Sequence, residues 1–439
     1  MLWTLIRCIL ILIKNEVWYL LGLRSKDGYY YQKTTYVRLA KSVLKARFAP
    51  KNQDYAAQTY NTLVTDVKDH KTDFVPITSA PHIEKPDETR LLAYYLPQFH
   101  SIPLNDKYFG RGFTEWTNVC SSMPLFPGHH QPQIPYDVGF YDLSHPDVMY
   151  RQVELAKMYG IYGFCFYYYW FSGKKLLEKP LYNWLNNKDL DRHFCLFWAN
   201  EPWSKNWDGG DLQVIMPWEV RPNDEQLFLN DFLPFAQDDR YIKIDNKPLL
   251  IVYKPWKMSR ERFISYFDCV RLGLIQHGFN GLYLMAVDNK FCDHENDWSL
   301  DGYVEFPPSN MYSVADVEDV PIAAKGACAT IFSMERYIRE KQYLSDCSYK
   351  LFRGLFATWD NSARKAFSDG AIYGGITSEL YQVWLKDLIL YTQQHNTPQE
   401  QYIFINAWNE WAEGAHLEPD CRYGYKWLQA TKEALESMN

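Results

Sequence analysis

An α/β fold, a (β/α)₈ TIM barrel with an N-terminal helical extension, is what this sequence predicts, on three observations. Eight short apolar or aromatic runs recur along the body of the chain, and segments long enough to hold a helix separate them. Polar and aromatic residues gather just after the runs, where a barrel carries its active site. The runs are 91–97, 161–170, 194–200, 248–253, 281–287, 302–306, 355–359 and 402–408. Several, such as 161–170, are apolar throughout rather than alternating, as strands covered on both faces are. The rival is a doubly wound open sheet, which would place a glycine-rich phosphate loop after the first strand. Leu96-Pro97-Gln98-Phe99-His100 stands there instead, and neither GxGxxG nor GxxxxGK[ST] occurs.

Taken in order, residues 1–51 form a basic amphipathic helical extension. Positions 2, 5, 6, 9, 12, 13, 17, 20 and 21 are apolar and fall on one helical face. The uncharged run from Cys8 to Ile13 is six residues, against the ~20 that cross a bilayer, and no small-residue cleavage site follows. Ten Lys or Arg against two Asp or Glu give this arm +8, so the remainder of a chain of formal charge −7 carries −15. Two readings stand for the arm: a helix packed on protein, or a peripheral contact with an anionic membrane. The acidic body excludes nucleic acid as a partner. Residues 52–88, turn-rich and ending in Lys85-Pro86-Asp87, read as a linker, and 89–439 as the catalytic domain. Hydrophobic residues at 47% and charged residues at 23% are globular values, while 17% aromatic suits either core filling or faces that bind sugars. Nine scattered cysteines without a CxxC pair read as free thiols of a reducing compartment.

Strand ends supply the candidate site residues. The first run ends at Gln98 and His100, the second at Tyr168, Tyr169 and Trp170, the third at Trp198, Asn200 and Glu201. The fourth ends at Tyr253, the fifth at Asp288 and Asn289, the sixth at Glu305, the seventh at Trp359 and Asp360, and the eighth at Asn409, Glu410 and Glu413. In Trp408-Asn409-Glu410-Trp411-Ala412-Glu413-Gly414 two carboxylates stand three apart where strand gives way to a helical turn. Side chains at that spacing share one side, ~5–6 Å apart at Cβ, close to the ~5–5.5 Å of retaining glycosidase pairs. One carboxyl can then be ionised while its neighbour keeps a proton for a leaving oxygen. An acid-rich first helical turn would produce the same spacing through the macrodipole, but the flanking indoles at a barrel strand end favour chemistry. Glu201, between Trp198 and Trp203, reads equally as a sugar contact or part of an aromatic rim, and Glu115 as a loop brace or a substrate contact. Asp288, Glu305 and Asp360 read as structural, and His100, His129, His130 and His145 have no metal-site spacing.

Five words in order carry a resemblance. Tyr94-Tyr95-Leu96-Pro97-Gln98-Phe99-His100, Gly112-Phe113-Thr114-Glu115-Trp116-Thr117-Asn118-Val119, Tyr162-Gly163-Phe164 with Tyr167-Tyr168-Tyr169-Trp170, Trp198-Ala199-Asn200-Glu201, and the segment Trp408 to Gly414 resemble the WbsX-type glycosyltransferase family, which is itself similar to the glycoside hydrolase family 99 endo-α-mannosidases. The resemblance runs from about residue 90 to about 430. It implies the same barrel, no metal and no other cofactor. It implies that Glu410 pulls on the sugar 2-hydroxyl to form a 1,2-anhydro intermediate while Glu413 acts as acid and then base. Together with the strand ends, it marks Tyr94, Tyr95, His100, Glu115, Trp116, Tyr169, Trp170, Trp198, Asn200, Glu201, Tyr253, Trp359, Asn409 and Trp411 as substrate-binding candidates. Pro202 departs from the asparagine of the family pattern.

The expected function is a glycosyltransferase or transglycosidase of bacterial surface polysaccharide biosynthesis, of the O-antigen of lipopolysaccharide or a capsule. Its substrate would be an oligosaccharide or lipid-linked saccharide, and its place the cytoplasm, peripheral at the inner membrane. The alternatives are an endo-α-mannosidase-like hydrolase and an inactive carbohydrate-binding barrel; intact Glu410 and Glu413 count against the last.

Overall fold

The computed structural model describes residues 73–438 except 86–87, 206–212, 290, 293, 310, 312–314, 319, 321, 323–326, 346 and 367–369. The extension at 1–51 and most of the 52–88 linker lie outside the described residues.

Nine parallel strand segments make the barrel: β1 (Arg90–Tyr95), β2 (Ile161–Phe171), β3 (His193–Trp198), β4 (Lys247–Val252), β5 (Tyr283–Val287), β6 (Gly302–Val304), β7 (Leu351–Phe352), β8 (Gly354–Leu355) and β9 (Tyr402–Ile405). Their spatial order is β7-β6-β5-β4-β3-β2-β1-β9-β8. The two ends of that order are consecutive pieces of one stretch, so the sheet closes on itself through Arg353. This residue interrupts the strand without leaving it: its carbonyl accepts from the Phe404 amide at 3.0 Å, and its guanidinium donates to Glu305 at 3.0 Å. The expected seventh strand at 355–359 is therefore displaced toward the N-terminus. A buried arginine inside an apolar stretch hid the true start from a hydrophobic pattern.

Strands β1 to β3 pair over five and six residues, and β2 is buried almost throughout, on both faces. Gly163 is needed where β2 meets β3, since a Cβ there would lie 2.2 Å from the His193 carbonyl oxygen. The interior is filled by rings: Tyr94 packs edge-on against Phe197 and Phe306 at 5.4 and 4.8 Å and lies 5.7 Å from Phe404. Long helices cover the outside, among them Arg260–Gln276 capped by Ser259 and Ser378–His395 capped by Thr377. Between β5 and β6 the described residues form no helix.

Two additions matter for the site. A four-stranded accessory sheet, in the order Asp316–Glu318, Ala329–Ser333, Gly370–Gly374, Trp359–Asp360, grows from the connections on either side of β7 and β8. The stretch 73–85, within the expected linker, is docked on the barrel: the Val75 amide bonds the Tyr423 carbonyl at 3.1 Å and the Thr78 amide the Tyr159 hydroxyl at 2.9 Å. The eight described cysteines are free thiols, with Cys165 and Cys195 registered side by side on β2 and β3. No helix among the described residues is long and apolar enough to cross a membrane.

Candidate active site

A cleft of about 270 Å³ opens at the C-terminal mouth of the barrel, lined by Gln98, Tyr167, Tyr169, Phe197, Ala199, Glu201, Pro202, Trp203, Ser204, Tyr253, Phe306, Arg364, Lys365, Glu410 and Glu413. Every barrel strand ends toward this mouth, so the connections that follow them meet there. After β9 the chain makes a two-residue strand, Asn409–Glu410, and a 3₁₀ turn, Trp411–Glu413, closed by Gly414 at φ 57°. A side chain at Gly414 would meet the Asp360 backbone nitrogen at 2.9 Å. The turn is thus pressed against the accessory sheet, and glycine is what the close approach and the left-handed φ both demand.

The two carboxylates predicted from spacing do meet, around a cation that the strand-end argument did not mark. Arg364, on the short helix Ser362–Lys365 of the accessory sheet, donates to Glu413 Oε1 at 2.6 Å and to Glu410 Oε2 at 3.0 Å. The same guanidinium donates twice to Glu115 Oε2, at 3.1 and 2.9 Å. Glu115 is fully buried in the helix Glu115–Ser121 that follows β1, where Thr114 forms a capping box with Thr117. Three acids from two connections share one guanidinium. Burial, with Glu413 and Glu115 adding to it against Arg364, pushes Glu410 up to about 8, and burial also raises Glu115.

A further buried acid, Glu418, holds the turn from below. Glu418 accepts from the indoles of Trp411 at 2.7 Å and Trp408 at 3.0 Å, from Tyr141 at 2.9 Å and from Gln152 at 2.6 Å. Burial outweighs those four donors and pushes it to about 7. Asn409 fastens the same turn to the end of β1, bonding the Leu96 amide at 2.7 Å and its carbonyl at 3.1 Å.

The structure brings Glu410, Glu413, Tyr169, Glu201 and Tyr253 together as walls of the cleft, with Glu115 directly behind. Tyr169 accepts from Gln98 at 2.8 Å, and Glu201 pairs with Lys254, whose ammonium sits 4.5 Å from the Tyr253 ring centre. The remaining candidates support these walls. Asn200 clasps the backbone of Lys254, donating at 2.8 Å and accepting at 2.7 Å. Tyr94 is inside the barrel below the cleft, whereas Tyr95 faces outward and bonds Gln152 at 2.7 Å. His100 is tied to the Pro97 carbonyl at 2.9 Å, and burial lowers its proton affinity below the usual histidine range. Trp170 and Trp198 pack against each other and Phe228, Trp116 packs on Phe99, Tyr141 and Trp411, and Trp411 stacks on His416. Trp359 is buried in the accessory sheet, and its indole nitrogen has no hydrogen-bond partner among the described residues. Sequence reasoning missed Arg364, Lys365, Tyr167 and Phe306 as site residues. The available signal was a basic pair four and five residues after the Trp359-Asp360 strand end. Among the described residues no cluster of His, Cys, Asp or Glu could hold a metal ion.

These buried acids have a thermodynamic consequence. Glu410, Glu418 and Asp420 are pushed by burial to about 8, 7 and 6, above their unfolded values, so folding takes up protons and stability rises as pH falls through that range. His130 and His416, held by burial to about 3 and 4, charge only in the unfolded chain and oppose the gain below about pH 6.5. The melting temperature is expected to be several degrees higher at about pH 6.5 than at about pH 8.5; calorimetry showing the reverse order would contradict this account.

Residues 91–431 match the family described as glycosyltransferase WbsX. Two proteins from strains of Xanthomonas campestris pv. campestris, both described as uncharacterized protein WxcX, are 37% identical over 345 residues, 79% of this chain and 49% of theirs. The chain thus spans about half the length of the curated relatives it matches. Among solved structures, a glycoside hydrolase-like protein superposes with a TM-score of 0.51 at 13% identity, over 83% of this chain and 99% of that one, which shows a shared barrel fold. The GH99 endo-α-mannosidase from Bacteroides thetaiotaomicron gives a TM-score of 0.47 at 11% identity, over 80% of this chain and 97% of that one.

Proposed function

Because the chain belongs to the WbsX glycosyltransferase family, and is therefore a carbohydrate-active enzyme, we propose that it makes or remodels glycosidic bonds on a bacterial surface-polysaccharide intermediate, with retained anomeric configuration. The observation that carries this reading is the meeting of Glu410 and Glu413 on one guanidinium, in a cleft walled by Tyr169, Trp203 and Tyr253. A sugar ring fits such walls through its apolar face, with hydroxyls directed at the carboxylates.

In the proposed step Glu410 takes the proton of the sugar 2-hydroxyl as that oxygen attacks the anomeric carbon, and Glu413 gives its proton to the departing glycosidic oxygen. An acceptor hydroxyl then opens the 1,2-anhydro ring, its proton passing to Glu413 while Glu410 returns its own to the 2-oxygen. Two inversions leave the anomeric configuration unchanged. A carboxyl whose proton affinity is raised to about 8 is a stronger base toward an alcohol than an ordinary glutamate. The acceptor is an oligosaccharide or a lipid-linked saccharide. The +8 arm at 1–51 supplies a peripheral contact with an anionic leaflet, and a cytoplasmic location at the inner membrane follows in this reading.

Proton NMR of the first-formed product from nitrophenyl glycosides, with and without an oligosaccharide acceptor, tests the proposal. Retained configuration and a majority of transfer products at saturating acceptor are expected. An inverted anomer would remove the two-glutamate mechanism, and pure hydrolysis at saturating acceptor would make the enzyme an endo-glycosidase.

A further inference from the structure

We propose that Arg364 is the positioning residue of this site, a guanidinium delivered by the accessory sheet that aligns Glu410 with Glu413 and sets how many protons the surrounding carboxyls share. The inference rests on the reading that these two glutamates are the reacting groups, but its test does not require turnover.

Geometry separates Arg364 from an ordinary buried ion pair. A structural pair matches one cation to one anion, because surplus buried charge is costly. Here one guanidinium faces three carboxyls, two of them in the cleft wall. Glu115 receives two of the four bonds on a single oxygen and does not line the cleft, which makes it the anchor that holds the guanidinium plane. The bonds to the cleft carboxyls use Oε2 of Glu410 and Oε1 of Glu413. One oxygen of each cleft carboxyl is thus fixed by the guanidinium. A planar fork can span carboxyls in this way, and a single ammonium cannot.

The backbone that carries Arg364 is itself fixed. Asp360 accepts from the Ser362 amide at 2.9 Å and from the side chains of Gln131 and His129 at 2.6 and 2.7 Å. Asn361 accepts from the Ala371 amide at 2.7 Å, tying the turn to the next strand of the accessory sheet. The accessory sheet is in this way part of the reacting apparatus. The titratable groups that face Glu410 are Arg364 and Glu115 from the two connections, Glu413 from its own turn, and the phenols of Tyr167 and Tyr169 from β2. Lys365, Glu201 and Tyr253 line the same cleft.

The test is a pH titration of the full-length protein labelled with [5-¹³C]glutamate, with the two carboxyl signals assigned by their loss in Glu410→Gln and Glu413→Gln. Removing the cation in Arg364→Met is expected to raise the midpoints of this pair by about one to three pH units. Removing one anion in Glu115→Gln is expected to lower them. Loss of structure would bring Glu410 down toward the ordinary glutamate value, so it cannot imitate a rise at Glu410. If Arg364→Met does not fold, Arg364→Gln, which keeps N–H donors without charge, makes the same measurement. Midpoints unchanged, or lowered, in a folded Arg364 variant would overturn the assignment. Shifts of the expected sign combined with full activity in Glu410→Gln would keep Arg364 as the charge-setting residue and remove the proposed function instead.

Discussion

Glu410→Gln and Glu413→Gln are each expected to lower turnover by about three orders of magnitude while leaving the fold intact, because the amide keeps the carboxyl's shape and loses the charge or the transferable proton. Stability separates this effect from damage. Glu410 is 5% exposed and holds its proton up to about 8, so below that pH the amide replaces a carboxyl that is already neutral, and the melting temperature should be close to unchanged. The pH dependence carries a sign. If Glu410 is the base, kcat/KM rises with pH up to about 8, and that limb is missing in Glu410→Gln. A falling limb at the same pH would exchange the roles of the two glutamates. Glu413→Gln should be partly forgiven on donors with good leaving groups, which need less acid help, and unchanged rates in either variant would move the active site elsewhere.

Glu418→Leu is expected to cost about 3–5 kcal/mol, the range for removing one side of a buried charged network. Four buried donors, from Trp408, Trp411, Tyr141 and Gln152, would lose their acceptor together. The loss falls on the turn that carries Glu410 and Glu413, so turnover should drop along with the denaturant midpoint. Tryptophan emission should change as well, since two indoles lose their hydrogen bonds. A stability loss under about 1 kcal/mol would mean that other groups or water satisfy those donors, and that Glu418 does not support the turn.

The barrel was legible because its strands are continuous apolar runs, and the Glu410–Glu413 pair because both acids follow directly on the last of them. What could not be read has two physical causes. Successive strand residues point to opposite sides, so a word such as Tyr94-Tyr95 does not say which ring enters the barrel and which turns to Gln152. Trp170, Trp198 and Trp411 are hidden for the same reason: an aromatic at a strand end is as well suited to a buried joint as to a sugar platform. The second cause is distance along the chain. Arg364 reaches the carboxyls from an inserted sheet rather than from a strand end, and no local pattern links it to Glu115, 249 residues away. The displaced seventh strand moved Trp359 into that same inserted sheet.

The rings that fill the barrel below the cleft also isolate it. Tyr94 and Phe404 are fully buried, Phe197 nearly so, and the Tyr94 hydroxyl has no partner among the described residues. In the proposed reaction the glutamates exchange hydrogen ions with solvent through the cleft mouth, which they line. On the proposed mechanism, a saccharide filling that mouth would leave the hydrogen taken from one sugar oxygen as the one available for return, and label from heavy water would be expected to enter between catalytic cycles rather than within one.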